Sequence, residues 1–136
     1  MSVKSFDLAT LESLSKILGD TSSGLTGTEI SKFFSECSIE DPGLNSTKWR
    51  RLYDSLSQKQ QNDRCANNIV FFIQHVMRPS RHVDNHEWFE DTRAKLNKVL
   101  SFEGLELEDS GNIKQVLKTK SISESEAREG ANKSLI

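Results

Sequence analysis

A chain of 136 residues, 35% hydrophobic and 28% charged, has material for one domain with one modest core. That balance excludes the disordered and membrane-embedded classes, and the longest dense apolar run, Ile69–Val76, falls far short of the roughly 20 residues that cross a bilayer. A formal net charge of −2 points to no partner as a total, but its distribution is uneven.

The opening MSVKSFDLAT has no apolar stretch of the secretory kind, so a cytoplasmic protein is expected. Asp7 then precedes Leu8, Leu11, Leu14 and Leu18, with Ile17 alongside. This spacing predicts a first helix that buries a leucine stripe and turns Ser13 and Lys16 to water, with Gly19 as its stop. The run from Gly19 to Gly24 is a turn cluster without the lysine or glycine spacing of a phosphate-binding loop.

Thr26 and Glu29 form a capping-box pattern that opens a second helix, lined by Ile30, Phe33, Phe34 and Cys37. Asp41-Pro42-Gly43 is its expected end, and Asn45 or Ser46 the expected cap of the third helix. There Trp49, Leu52, Tyr53 and Leu56 recur at helical spacing and predict core packing, while Lys48, Arg51 and Ser55 share a different face and Arg50 sits four residues before Asp54. The whole stretch Gly24–Leu56 has the spacing of a helix-turn-helix or a small helical interaction module.

Charge concentrates in the same region. Residues 1–46 carry three lysines against seven acidic side chains, whereas residues 47–64 carry Lys48, Arg50, Arg51, Lys59 and Arg64 against Asp54 and Asp63, a local excess of +3. These five cations are the candidates for contact with a nucleic acid or another partner.

Gln58–Arg64 is polar throughout and is expected to be a connecting loop or frayed helix end, with Asp63 capping a fourth helix. Ile69, Phe72, Ile73 and Val76 stripe that helix, Val70 and Phe71 widen its apolar surface, and it is expected to be the central one. It must stop near Met77–Arg78, because Pro79 disfavours helix in the residue before it. Asp84 or Asn85 can cap a fifth helix, striped by Trp88 or Phe89, Thr92, Leu96, Val99 and Leu100.

At Gly104 the period drops to 2. Leu105 and Leu107 alternate with Glu106 and Glu108, Asp109–Asn112 makes a turn, and Ile113 and Val116 follow, which predicts a hairpin packed on the helices. The expected fold is mainly α, a compact bundle of about five helices with a C-terminal β-hairpin, with a winged-helix-like arrangement as one form of it. One domain is expected over residues 1–118 and a flexible tail over 119–136.

No catalytic or metal constellation is expected, and no cofactor. Cys37 and Cys65 lack metal-ligand spacing and are expected to be reduced, buried thiols. His82 and His86 stand four apart, but Pro79 and the Asp84-Asn85 cap place His82 in a loop. Arg81-His82-Val83-Asp84-Asn85-His86 is similar to the Arg-x(4–6)-His pattern of HEPN ribonucleases, a short pattern that also fits loop and helix-start residues.

Several segments together carry a wider resemblance: Leu18-Gly-Asp-Thr21, Gly24-Leu-Thr-Gly-Thr-Glu-Ile30, Lys48, Arg51-Leu-Tyr53, Asn67-Asn68, Arg78-Pro-Ser-Arg81, Leu96-Asn97, Leu100, Gly104-Leu-Glu-Leu107 and Gly111. In order and spacing they resemble the AbiJ-type amino-terminal domains of bacterial abortive-infection proteins, which precede Ymh-like or HEPN-type effector domains. The resemblance spans roughly Leu8 to Lys120. It implies a small helical sensing or adaptor module that controls a toxic effector during phage attack. The family has no fixed histidine at the position of His86, which counts against the ribonuclease pattern. In the family the effector begins after a segment matched here by Ser123–Arg128, so a chain ending at Ile136 is expected to be either truncated or a stand-alone regulator.

The leading expectation is therefore a non-catalytic sensor or adaptor of an antiphage system, whose partner is an effector protein or domain, with no membrane association. The alternative is a winged-helix-like nucleic-acid-binding regulator that uses the basic helix 47–56.

Overall fold

The computed structural model describes residues 2–41 and 46–117. Among these it is mainly helical, with five α-helices and one two-stranded antiparallel hairpin toward the C-terminus, as expected. The helices are α1 (Leu8–Leu18), α2 (Gly27–Glu36), α3 (Lys48–Asp63), α4 (Asn67–Val76) and α5 (His86–Leu100), and the strands are β1 (Leu105–Leu107) and β2 (Ile113–Gln115). The tail expected over 119–136, like Pro42, Gly43 and Asn45, lies outside the described residues.

In α1, Leu11, Leu14 and Leu18 are fully buried, while Leu8 on the first turn is exposed. Gly19 follows with an ordinary negative φ of −102°. Its lack of a side chain serves packing, because a Cβ there would lie 2.6 Å from the Trp49 backbone nitrogen. Glycine thus lets the end of α1 meet the first turn of α3, its principal neighbour.

The capping box of α2 is formed: Glu29 N donates to Thr26 Oγ1 at 3.1 Å and Thr26 N donates to Glu29 Oε1 at 2.9 Å. The helix ends at Glu36, before the Asp41-Pro42-Gly43 segment expected to stop it. Ser38 takes the left-handed conformation (φ 56°), its N–H donates to Ser35 O at 3.2 Å, and Ile39 N donates to Phe34 O at 2.9 Å. These two reverse bonds make a Schellman closure with serine where glycine is usual, and the buried Ile39 folds back on the core.

The third helix settles a second boundary. Of the two readings of Gln58–Arg64, connecting loop or helix end, the structure has the helix end: α3 runs to Asp63 and stops at Arg64 in the left-handed region (φ 59°). Gln60 explains the extra turn: it is buried, its Oε1 accepts from Phe6 N and its Nε2 donates to Phe6 O, both at 2.9 Å. Val3 is held likewise, donating to Asn67 Oδ1 at 2.7 Å and accepting from Ala66 N at 2.8 Å. The chain before α1 is thereby strapped across the α3–α4 junction with Val3 and Phe6 buried. Ala66 rather than Asp63 is the residue before α4, and Asp63 instead accepts from Asn68 Nδ2 at 2.8 Å.

Ile69, Val70, Phe72, Ile73 and Val76 bury half of α4, Met77 just beyond it is buried too, and Phe71 lies on its exposed side. Phe89, Thr92, Leu96 and Leu100 bury one face of α5. The hairpin pairs Leu105 with Gln115, Glu106 with Lys114 and Leu107 with Ile113, and buries Leu105, Leu107 and Ile113. Val116 lies beyond β2 and is exposed. Asn97 of α5 clamps the free side of β1, accepting from Leu107 N at 2.7 Å and donating to Leu107 O at 2.9 Å, while Gln74 of α4 accepts from Ile113 N at 2.8 Å. The hairpin is thus fastened to α5 and α4, whereas α3 packs chiefly on α1.

Candidate interaction groove

The five cations of residues 47–64 do not form one patch. Arg51 is 2% exposed. Its Nε and Nη2 donate to the two oxygens of Asp41 at 2.9 and 2.5 Å, Nη1 donates to Gly27 O at 3.1 Å, and Nη2 reaches Ser31 Oγ at 2.7 Å. The bond to Asp41 holds the guanidinium pKa above its ordinary value, so this charge is a fixed internal brace between α3, the start of α2 and the segment before α3.

At 3.6 residues per turn, Lys48 and Lys59 share a face of α3 and Arg50 lies about 160° from Lys48. Arg50 lies over the Trp49 ring, 5.6 Å from its centroid, and 3.6 Å from Asp54. Lys16 of α1 approaches the same ring at 4.8 Å. Trp49 is thus half-buried between two cations, whereas Tyr53 packs against the core. Lys59 is turned to Asp63 at 3.5 Å, and Arg64 is exposed at the left-handed end of α3.

What lies along α3 instead is an open groove of about 660 Å³, lined by Ser38, Glu40 and Asp41 on one side and Asp54, Ser55, Gln58, Lys59 and Asn62 on the other. Three carboxylates and one ammonium line it, the opposite balance to the one the local charge excess suggested. Ser38, in its left-handed conformation, sits at the rim. Ser55 Oγ is buried without a hydrogen-bond partner. The stripe Asp54, Ser55, Gln58, Lys59 and Asn62 has helical spacing, but it is visible in the sequence only if α3 is known to continue past Gln58.

The Arg81–His86 pattern does not assemble. Arg81 Nε donates to His75 O at 2.9 Å and its Nη2 lies 3.6 Å from Glu36, so its head faces α2 and α4. His75 Nε2 sits 2.6 Å from Glu36 Oε1. A carboxylate can only accept, so Nε2 carries the proton there, and this bond holds the Glu36 pKa below its ordinary value. His86 is exposed beside Glu90, at 3.8 Å, with its ring stacked near Phe89. His82 donates through Nε2 to Val76 O at 2.8 Å and packs against Trp88.

A second, smaller cleft of about 340 Å³ lies where the α1–α2 loop meets Arg81, His82, Asn85 and Trp88. The loop offers it no phosphate cradle. Ser22 N and Ser23 N both donate to Asp20 Oδ2, at 3.0 and 2.9 Å, so an internal carboxylate already fills the nest and is held below its ordinary pKa by these bonds.

Cys37 is buried and its thiol is pushed up to about 11, whereas Cys65, expected to be buried, is half-exposed. Among the described residues, no group of three or more His, Cys, Asp or Glu side chains is placed to hold a metal ion, and no helix is long and apolar enough to cross a membrane. No family model, curated protein or solved structure matches the chain.

Proposed function

We infer that the chain is a non-catalytic sensor or adaptor that acts by protein interaction in the bacterial cytoplasm. Its resemblance to AbiJ-type amino-terminal domains suggests an abortive-infection system, with an effector protein or domain as the partner. The observation that carries the interaction reading is the groove along α3. The helix that looked basic forms one wall of a polar groove lined by Glu40, Asp41 and Asp54 against Lys59 alone, and its most buried cation is consumed inside the fold. Such a surface disfavours phosphate backbones and favours a protein partner of complementary charge. Side chains that a hydrolytic mechanism would need, Arg81 and His86 above all, are engaged separately.

The test combines phage challenge with binding. In cells carrying the chain in its natural gene neighbourhood, Glu40→Lys with Asp54→Lys is expected to abolish protection, read as plating efficiency. Purified wild-type protein is expected to shift neither duplex DNA nor single-stranded RNA at low salt. Protection unchanged by the double reversal would overturn the reading. So would a salt-sensitive shift lost in Lys48→Glu with Arg50→Glu, which would favour the nucleic-acid regulator.

A further inference from the structure

The segment before α1 is held as a bound peptide is held, and we propose that its seat at the α3–α4 junction is a peptide-binding site. The occupant it fits is an extended segment of a partner protein, with an aliphatic residue and a phenylalanine three positions apart. Residues 3–6 fill the seat in cis and are the competitor that such a partner displaces. The seat shares no lining residue with the α3 groove, so the two sites stand or fall separately.

Residues 2–7 belong to no helix or strand. Both main-chain groups of Val3 and both of Phe6 are nevertheless bonded to the body of the fold. Val3 N donates to Asn67 Oδ1 at 2.7 Å, and Val3 O accepts from Ala66 N at 2.8 Å. Phe6 N donates to Gln60 Oε1 and Phe6 O accepts from Gln60 Nε2, both at 2.9 Å. The side chains of Val3 and Phe6 are buried, while Lys4 and Ser5 between them are exposed. The body therefore reads a main chain at two points and two apolar side chains, and makes no use of the residues between. That is the division of labour of peptide recognition, where main-chain bonds give affinity and pockets for spaced side chains give specificity.

Gln60 selects what can sit there. It is 5% exposed, and its amide oxygen and nitrogen are both spent on Phe6. An empty seat would orphan a buried acceptor and a buried donor together, which is costly. The N–H and C=O of one residue satisfy both at once, whereas an ammonium, a carboxylate or an apolar side chain does not. The strap is therefore more readily replaced by another peptide than simply removed. Backbone freedom regained by the departing residues offsets part of the contacts they give up. Asp7, exposed between the strap and α1, is the point about which it lifts.

The experiment is calorimetric titration of the full chain with the hexapeptide Ser-Val-Lys-Ser-Phe-Asp, and with the same peptide carrying serine in place of phenylalanine. Val3→Ser with Phe6→Ser weakens the resident strap. This variant is expected to bind the hexapeptide saturably at one site, about tenfold or more tighter than wild type, whose seat is filled. The serine peptide is expected not to bind, and Gln60→Leu added to the pair is expected to abolish binding. Absence of saturable binding to the folded variant, equal binding by wild type, equal binding of the serine peptide, or binding that survives Gln60→Leu would each overturn the proposal. A concentration-dependent dimer of wild type that is lost in Val3→Ser with Phe6→Ser would make a second copy's strap the occupant, and would overturn the assignment to a partner. Where the variant does not fold, amide hydrogen exchange of the wild type decides. The Val3 and Phe6 N–H groups are expected to exchange about a hundredfold or more faster than those of Phe72 and Ile73 in α4, because the strap opens without the rest of the fold. Equal rates would mean that it opens only on global unfolding, and would overturn the proposal.

Discussion

Arg51 shows how far one residue's role can depart from its charge. In sequence it belongs to a basic cluster, and in the fold it is an interior brace making four hydrogen bonds to Asp41, Gly27 and Ser31. Its guanidinium also lies over the Phe34 ring, 5.9 Å from the centroid. Removing Arg51 takes away four hydrogen bonds and leaves Gly27 O and Ser31 Oγ without this donor, whereas Asp41, which is exposed, can turn to water. Arg51→Met is therefore expected to destabilise the domain by about 2 kcal/mol, measured by denaturant unfolding. Arg50→Ala, on the same helix but exposed, is expected to change stability by less than about 1 kcal/mol. A charge reversal at Arg51 would report on folding rather than on binding, so tests of nucleic-acid contact belong at Lys48 and Arg50. Similar losses in both variants would show that Arg51 is not the brace described.

Elements were legible where periodicity and capping chemistry agree, and illegible where an uncommon residue fills a standard geometric role. The five helices and the hairpin follow from apolar spacing at 3.6 and 2, and the Thr26–Glu29 box fixes the start of α2. Its end was missed because serine, not glycine, occupies the left-handed position of the Schellman closure. The last turn of α3 stays open between loop and helix end in the sequence because Gln60 stabilises it through the backbone of Phe6, 54 residues away, a partner that no local pattern discloses. Leaving that turn open also hid the groove, whose α3 wall includes Gln58, Lys59 and Asn62. The Ser38 assignment can be checked directly. A non-glycine residue pays a steric penalty in the left-handed region, partly offset by the greater chain entropy glycine loses on folding. Ser38→Gly is expected to stabilise the protein by a few tenths to about 1 kcal/mol, whereas Ser38→Val, β-branched, is expected to destabilise it. A Ser38→Gly variant less stable than wild type would contradict the left-handed assignment.

At the scale of the whole molecule, the helices are joined by side chains that reach across sequence to backbone or to one another. Gln60 and Asn67 hold the N-terminal strap, Asn97 and Gln74 hold the hairpin, and Trp88 Nε1 donates to Ser23 O at 2.5 Å, tying the α1–α2 loop to α5. The Glu36–His75–Arg81 cluster links α2, α4 and the turn after α4, and it is the member of this set that titrates. Glu36 is held below its ordinary value of 4.5 chiefly by the hydrogen bond from His75; burial opposes this as the next-largest effect, and the charges of Lys32, His75 and Arg81 each add a smaller lowering. Because the folded pKa is the lower one, the unfolded chain binds more protons in the window between the two values, so stability rises with pH there. The contribution is complete above the ordinary carboxylate range and is lost as pH falls through the depressed folded value. The difference in unfolding free energy between wild type and Glu36→Gln isolates this carboxylate from Asp20 and Glu12, which are depressed as well. It is expected to be constant between about pH 7 and pH 6 and to shrink steadily below about pH 5. A difference that persists undiminished at about pH 3, or grows on acidification, would mean that the carboxylate of Glu36 does not hold α2 to α4.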